Sequence, residues 1–375
     1  MIKFNTPPII DKGVEYAETA IRNGKTCGDG PFTKKCREWI KAKTGTEQAL
    51  LTTSGTHALE LAAILSEIKE GDEVILPSYT FASTANAFVM RGAKLVFIDI
   101  RPDTKNMDET LIEDAITDKT KVIVPVHYAG VGCEMDTIME IAGRHGLTVV
   151  EDAAQGMMST YKGRALGTMG DYGCFSFHET KNYSMGEGGA ILVKDAAKGE
   201  EAEIIREKGT DRSRFLRGQV DKYSWVTMGS SFLPSDINAA YLYAQLEIAD
   251  KINDYRLDCW NAYYERLKPL QSQGLVELPV IPEECSHNAH MFYMVTDSLA
   301  QRTKLIEHLK NNEIIAAFHY VPLHSAQAGQ KYGCFHGSDR ETNRIGACLL
   351  RLPMYYGLTQ GEIEFICDTI CRFYK

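Results

Sequence analysis

The sequence predicts an α/β protein, with a mostly parallel sheet covered by helices on both faces and a smaller α+β unit behind it. Three observations carry this. Between residues 45 and 195, strand-like apolar runs alternate with segments of helical periodicity. A carboxylate, Asp152, closes the run that begins LTVV (147–150), and open parallel sheets gather their ligands at such strand ends. After about residue 250 the alternation gives way to a long helical stretch and scattered short strands.

The elements follow in order. Residues 56–68 predict a helix, because Ala58, Leu59, Ala62 and Leu65 recur at helical spacing. A short strand is expected over 73–76 and a helix over 84–91. Residues 94–99 and 121–126 read as apolar strands with a helix over 107–116 between them. Unbroken apolar runs suit strands buried on both faces. Residues 135–145 predict a helix ended by Gly146, and 147–150 the next strand. Beyond these, 238–267 reads as one long helix. MFYMV (291–295) and AAFHYV (316–321) read as strands, and 302–311 and 361–373 as helices.

A chain of 375 residues can bury a substantial core, and its 44% apolar content is ordinary for a globular protein. No apolar run approaches the roughly 20 residues of a membrane span. The start of the chain lacks a signal peptide's apolar core, so a cytoplasmic location is expected. The ten cysteines contain no Cys-x-x-Cys pair, which argues against a disulfide framework or a zinc ribbon. Cys285, His287 and His290 lack a second matched half, and no metal is expected. A net charge of −9 argues against nucleic acid or an anionic membrane as partner.

The most informative stretch is FSFHETKN (175–182), followed by GEGG (186–189). It sets Lys181 in a short turn between apolar runs, with the Ser176 hydroxyl before it. Upstream stands EDAAQ (151–155). A lysine able to form a Schiff base, and an aspartate able to pair with a pyridinium nitrogen, are what pyridoxal phosphate requires of a protein. Solvated turn lysines are common and helix-capping acids are too, so the weight lies in the pair. Ser54-Gly55-Thr56 opens a helix, and backbone N–H groups at such a start make a phosphate site. Plain capping would leave the same trace.

These residues, with TSGTHAL (53–59) and PSYTF (77–81), resemble the sugar-nucleotide aminotransferases of the DegT/DnrJ/EryC1/StrS type, essentially end to end. The resemblance implies fold type I, with a mostly parallel seven-stranded sheet. It implies an N-terminal segment 1–30 packing with the small domain, a large cofactor-binding domain 31–250 and a small domain 251–375. It implies that Lys181 is catalytic, carrying pyridoxal 5′-phosphate with the pyridoxamine phosphate as intermediate. Asp152, Gln155, Ser176, Gly55 and Thr56 are then cofactor ligands, and Phe81 stacks on the ring. Ser231 stands where the family often has asparagine reaching a partner subunit's phosphate, so a homodimer is expected. His319, Tyr320 and His324 in HYVPLH match a stretch near the sugar. FHETKNYSMGEGG (177–189), AHMFY (289–293) and 203–223 are closer to members that aminate C4 of a dTDP-4-keto-6-deoxyhexose with L-glutamate, for cell-surface polysaccharide such as enterobacterial common antigen.

Arg212, Arg214 and Arg217 are expected to meet the substrate's diphosphate, since the chain is acidic overall and arginine forks suit phosphates. A solvated loop would show the same composition. A C3-aminating relative shares every cofactor motif. A nicotinamide-dependent dehydrogenase is the reading from another class, but GDGPFT (28–33) lacks the last glycine of the fingerprint and follows no strand.

Overall fold

The computed structural model describes residues 1–375. Eight strands form one sheet: β1 (Ala49–Thr52), β2 (Glu73–Pro77), β3 (Lys94–Ile98), β4 (Thr120–Ile123), β5 (Thr148–Asp152), β6 (Tyr172–Ser176), β7 (Gly189–Val193) and β8 (Gly333–Phe335). Their order is β1-β7-β6-β5-β4-β2-β3-β8. From β6 to β8 every neighbouring pair is parallel, while β7 runs antiparallel to β6 and to β1. The seven strands expected from the resemblance thus gain an eighth. It comes from the C-terminal part of the chain, where a three-residue run carries no visible period.

Alternation along these strands builds two cores. Leu51, Ile75, Ile123 and Val149 face one way, onto helices α2 (Pro31–Thr44), α5 (Met135–His145) and α7 (Asp236–Leu246). Leu50, Val74, Val122 and Val150 face the other way, onto α3 (Gly55–Leu65) and α4 (Ala82–Val89). Both faces are covered, which is why the strands are apolar throughout. Further along lie α6 (Ala196–Arg206) and α8 (Ala249–Ser272), and α1 (Asp11–Arg22) packs on α7.

A second, antiparallel sheet orders Val276–Glu277, Phe292–Thr296, Leu349–Leu352 and Ala317–Phe318. Its core joins Tyr263 and Leu267 of α8 to Leu305, Leu309, Ile363 and Ile366 of two C-terminal helices. Residues 2 and 4 pair with this layer through Ile314 and Met354. Between the two sheets lies an aromatic cluster of Tyr79, Tyr128 and Tyr293. No helix is long and apolar enough to cross a membrane.

Three expected elements differ. The long helix over 238–267 is two helices, broken at Glu247 and Ile248, so that α7 stays under the large sheet and α8 runs on to the second layer. The helix over 107–116 shrinks to single turns at Glu109–Leu111 and Ile112–Ala115. The strand over 316–321 keeps only Ala317–Phe318, which pair with Arg351 and Leu350, while His319 and Tyr320 leave the ladder and line the cavity described below.

Candidate active site

The strand ends β2, β4, β5 and β6 open toward the second layer, and between them lies a cavity of about 710 Å³. Asp152 ends β5 inside it and is buried. Thr84 donates to Asp152 Oδ2 at 2.7 Å, the Ala154 N–H donates to Oδ1 at 3.1 Å, and Thr80 bonds Thr84 at 2.8 Å. These bonds come from a hydroxyl and the backbone, and no cationic side chain forms an ion pair with the carboxylate. Such a group suits a cationic ring nitrogen.

Lys181 lines the same cavity. Its turn closes by a bond from the Lys181 N–H to the His178 carbonyl at 2.9 Å. Its neighbour Asn182 is anchored by Nδ2 to the Asn288 carbonyl at 2.9 Å and by Oδ1 to His290 Nδ1 at 3.0 Å. Asn288 in turn donates to the carbonyls of Gln155 and Met157 at 2.8 and 2.7 Å. One asparagine pair thereby holds the lysine turn against the aspartate turn. Burial pulls the Lys181 amine down to about 8, with the nearby Asp152 charge opposing and the Arg351 charge reinforcing the shift. A part-buried lysine with such a value is a competent nucleophile near neutral pH.

Two helix starts meet at the cavity's other end. Ser54 caps α3 by accepting from the His57 N–H at 3.0 Å, which leaves earlier N–H groups of the first turn to a ligand. Thr56 at this start bonds Ser83 of α4 across a 2.7 Å hydroxyl contact. Gly55 sits so close to Ser176 that an added Cβ would lie 2.8 Å from the serine Cβ and 3.1 Å from Oγ. An added Cβ at Gly189 would lie 2.5 Å from the Ser54 carbonyl oxygen. Glycines here let backbone, hydroxyl and helix start converge, and that cradle fits a phosphate.

The expected residues divide. Gly55, Thr56, Phe81, Asp152, Gln155, Ser176, Lys181, His319 and Tyr320 all line the one cavity. Gln155 is committed on both ends: it accepts from the Ala129 N–H at 2.7 Å and donates to the Tyr320 hydroxyl at 3.0 Å. His319 bonds the Tyr128 hydroxyl at 2.7 Å, and burial holds its basicity well below the ordinary value. His324 lies apart from the cavity. Its ring joins Ser78 Oγ at 2.7 Å and Asp339 at 3.2 Å, a clasp that ties HYVPLH to the end of β2. Ser231 is exposed and pairs its backbone with Glu207.

The three arginines are also elsewhere. Arg212 meets Glu207 at 3.2 Å, Arg214 meets Glu200 at 2.8 Å and Arg217 meets Glu203 at 2.7 Å. Within the chain their charge is already matched, so the expected cluster of free cations for a diphosphate is absent from this site. Many cavity residues were missed, among them Ser83, Thr84, His290 and Arg351. Of these only Arg351 left a signal, as a charge inside the apolar run LLRLP.

The pattern of the DegT/DnrJ/EryC1/StrS aminotransferase family matches residues 8–371. The chain belongs to this family. Among its relatives, the uncharacterised protein MJ1066 of Methanocaldococcus jannaschii is 36% identical, across 91% of this chain and 89% of that one. The spore coat polysaccharide biosynthesis protein SpsC of Bacillus subtilis is 30% identical, across 98% and 96%. Among solved structures, Spr1654 of Streptococcus pneumoniae in its PMP form superposes with a TM-score of 0.92 at 26% identity, covering 100% of this chain and 99% of that one. The fold is therefore that of the fold type I aminotransferases, and the family's cofactor is pyridoxal 5′-phosphate. The nicotinamide alternative falls on the same geometry. Asp29 of the GDGPFT loop is held at 2.8 and 2.9 Å by Arg206, and Gly30 abuts Asp236.

Proposed function

We propose that this DegT/DnrJ/EryC1/StrS family aminotransferase moves an amino group from L-glutamate to C4 of a dTDP-4-keto-6-deoxyhexose. The reaction is dTDP-4-dehydro-6-deoxy-D-glucose to dTDP-4-amino-4,6-dideoxy-D-galactose, carried out in the cytoplasm for cell-surface polysaccharide. The observation that carries the aminotransferase reading is the convergence of Lys181, Asp152 and the Gly55–Ser176 cradle on one cavity. The choice of a C4 keto sugar rests on the resemblance through 177–189 and 203–223. SpsC, a polysaccharide biosynthesis protein, and Spr1654, described as a sugar aminotransferase, support a sugar substrate.

In this reading Ser54, Gly55, Thr56 and Ser176 hold the phosphate, and Phe81, largely exposed at the cavity wall, covers one ring face. When bound, the cofactor supplies an electron sink for the carbanion. Asp152 keeps the ring nitrogen protonated, and Thr84 and the Ala154 N–H fix the carboxylate for that task. Lys181 anchors the cofactor, then takes the proton from the donor's Cα once its amine is free. An amine near pH 8 can both accept and return that proton. Tyr320, aligned by Gln155, and His319, held neutral, face the sugar side.

The working unit in this proposal is a homodimer. The segment around the third arginine pair exposes Leu216, Tyr223 and Trp225, an apolar surface that suits burial by a second copy. Ser231 and the Arg212–Arg217 segment would then serve across the interface. The decisive assay supplies dTDP-4-keto-6-deoxyglucose and L-glutamate to the holoenzyme and reads the product by NMR. Amination at C4 with galacto configuration is expected, and amination at C3 would select the alternative. Borohydride reduction followed by peptide mapping should label Lys181.

A further inference from the structure

His290 lines the cavity that also holds Lys181, just before the strand Phe292–Thr296, and is only 9% exposed. The bonds around it fix which ring nitrogen carries the proton. Asn182 Nδ2 donates to the Asn288 carbonyl, so that amide has one orientation and its Oδ1 is an acceptor. His290 Nδ1, 3.0 Å from this oxygen, must therefore be the N–H. Burial keeps the ring neutral by holding its basicity well below the ordinary value, and the charges of Lys181, Arg256 and Arg351 push the same way. A neutral ring with its proton on Nδ1 carries a lone pair on Nε2.

Every other polar atom of His290 is engaged. Its N–H donates to Asn288 Oδ1 at 3.0 Å, and its carbonyl accepts from Arg256 at 2.7 Å. Nε2 alone finds no donor in the chain. The other two histidines of the cavity differ. His178 accepts the Thr180 N–H on Nδ1 and turns Nε2 to Glu187 at 3.5 Å. His319 meets the Tyr128 hydroxyl, which can donate or accept and so leaves the tautomer open. A fixed acceptor costs little while water fills the cavity. Once a substrate expels that water, the lone pair is unsatisfied unless the substrate brings a donor.

The two substrates of the reaction proposed above differ on this point. L-glutamate brings carboxylates, which only accept, and an amino group that is itself consumed in the reaction. In a 4-keto-6-deoxyhexose the reacting carbonyl is flanked by C5, which bears the methyl, and by C3, which bears a hydroxyl. When C4 comes to Lys181, that hydroxyl is the one donor attached beside it. We propose that His290 Nε2 accepts a hydrogen bond from the C3 hydroxyl of the keto sugar, an assignment that rests on the C4 reading of the reaction. His290 then serves the sugar half-reaction and has no part in recognising glutamate.

The test is calorimetry on the holoenzyme with two ligands that have no carbonyl to react, dTDP-glucose and dTDP-3-deoxyglucose. The wild type should bind the 3-deoxy ligand roughly three- to tenfold more weakly, the worth of one neutral hydrogen bond. His290→Asn keeps an N–H for Asn182 but lacks Nε2, and should bind the two ligands alike. His290→Gln sets an amide near the place of Nε2 and should show a ratio between these. A role in packing alone would weaken both ligands together and leave the ratio intact. A wild-type ratio near one, or an undiminished ratio in either folded variant, overturns the proposal, so one folded variant is enough to decide. A shifted pH midpoint for pyridoxal phosphate capture by the His290→Asn apoenzyme, with the ratio undiminished, would assign the lone pair to the Lys181 amine and overturn it too. Amination at C3 would instead sink the proposed function, and the binding ratio would still be read separately because neither ligand turns over.

Discussion

Replacing Gly55 by alanine tests whether the close approach of helix and serine is part of the phosphate site. The three atoms nearest the new Cβ all belong to Ser176, at 2.8, 3.1 and 3.2 Å. Ordinary contact begins near 3.4 Å, so the end of β6 and the start of α3 must separate by about 0.6 Å. Overpacking of this size costs about 1–3 kcal/mol, and the apoenzyme should melt a few degrees lower. The same displacement pulls Ser176 and the helix N–H groups off a common phosphate. Loss of one charge-assisted bond is worth about 1.5–3 kcal/mol, so the pyridoxal phosphate dissociation constant should rise roughly ten- to hundredfold. The double variant Gly55→Ala with Ser176→Gly removes the clashing Cβ and Oγ. It should recover most of the melting temperature, with a coupling energy of about 0.5–3 kcal/mol, but not the affinity, since the serine hydroxyl is gone. Equilibrium dialysis and calorimetry read both quantities. If the single variant binds cofactor and melts as the wild type does, the cradle is not the phosphate site.

Asp152→Asn preserves shape and removes the charge, so turnover should fall by about 10²–10³ or more while melting is little changed; near-normal turnover would remove its electrostatic role. Capture of pyridoxal phosphate by the apoenzyme should follow the neutral Lys181 amine, rising with pH through a midpoint of about 8. Because Asp152 raises and Arg351 lowers that value, the midpoint should move down in Asp152→Asn and up in Arg351→Gln; a wild-type midpoint near the ordinary lysine value would refute the burial argument. Linkage has a matching sign: between about pH 8 and 10.5 the unfolded chain binds more protons at this lysine, so its contribution to stability improves with rising pH across that window. Trp225→Glu should shift the sedimentation boundary from dimer to monomer and lower kcat together with cofactor retention; a fully active monomer would contradict the shared-site arrangement.

Much of the fold was legible because buried parallel strands cannot avoid writing apolar runs into the sequence. β2 to β5 were found at their places for that reason, and Asp152 with them. The break between α7 and α8 was not legible. Both halves carry helical periodicity, and what separates them is tertiary: Gln245, near the end of α7, is held by the N–H and carbonyl of Ser184 at 2.9 and 2.6 Å. β8 was invisible because its partners lie more than two hundred residues away, at 95–97.

The site was legible where chemistry demands a residue type and silent where it demands only a bond. Lys181 and Asp152 stand out because few other residues do their work. Thr84, which fixes the Asp152 carboxylate, looks like any helical threonine until the two elements are brought together. The arginines show the reverse: composition marks a cluster of cations but not how they are matched within the chain. Four cations within ten positions, 208–217, drew attention to a segment where each of the three arginines already has its glutamate. Arg351 stands alone among leucines, and its surroundings supply no acid. For an anionic substrate the informative quantity is a cation left unmatched in a cavity. Counting charges along the chain cannot find it, because the matching is done by elements that meet only in the fold.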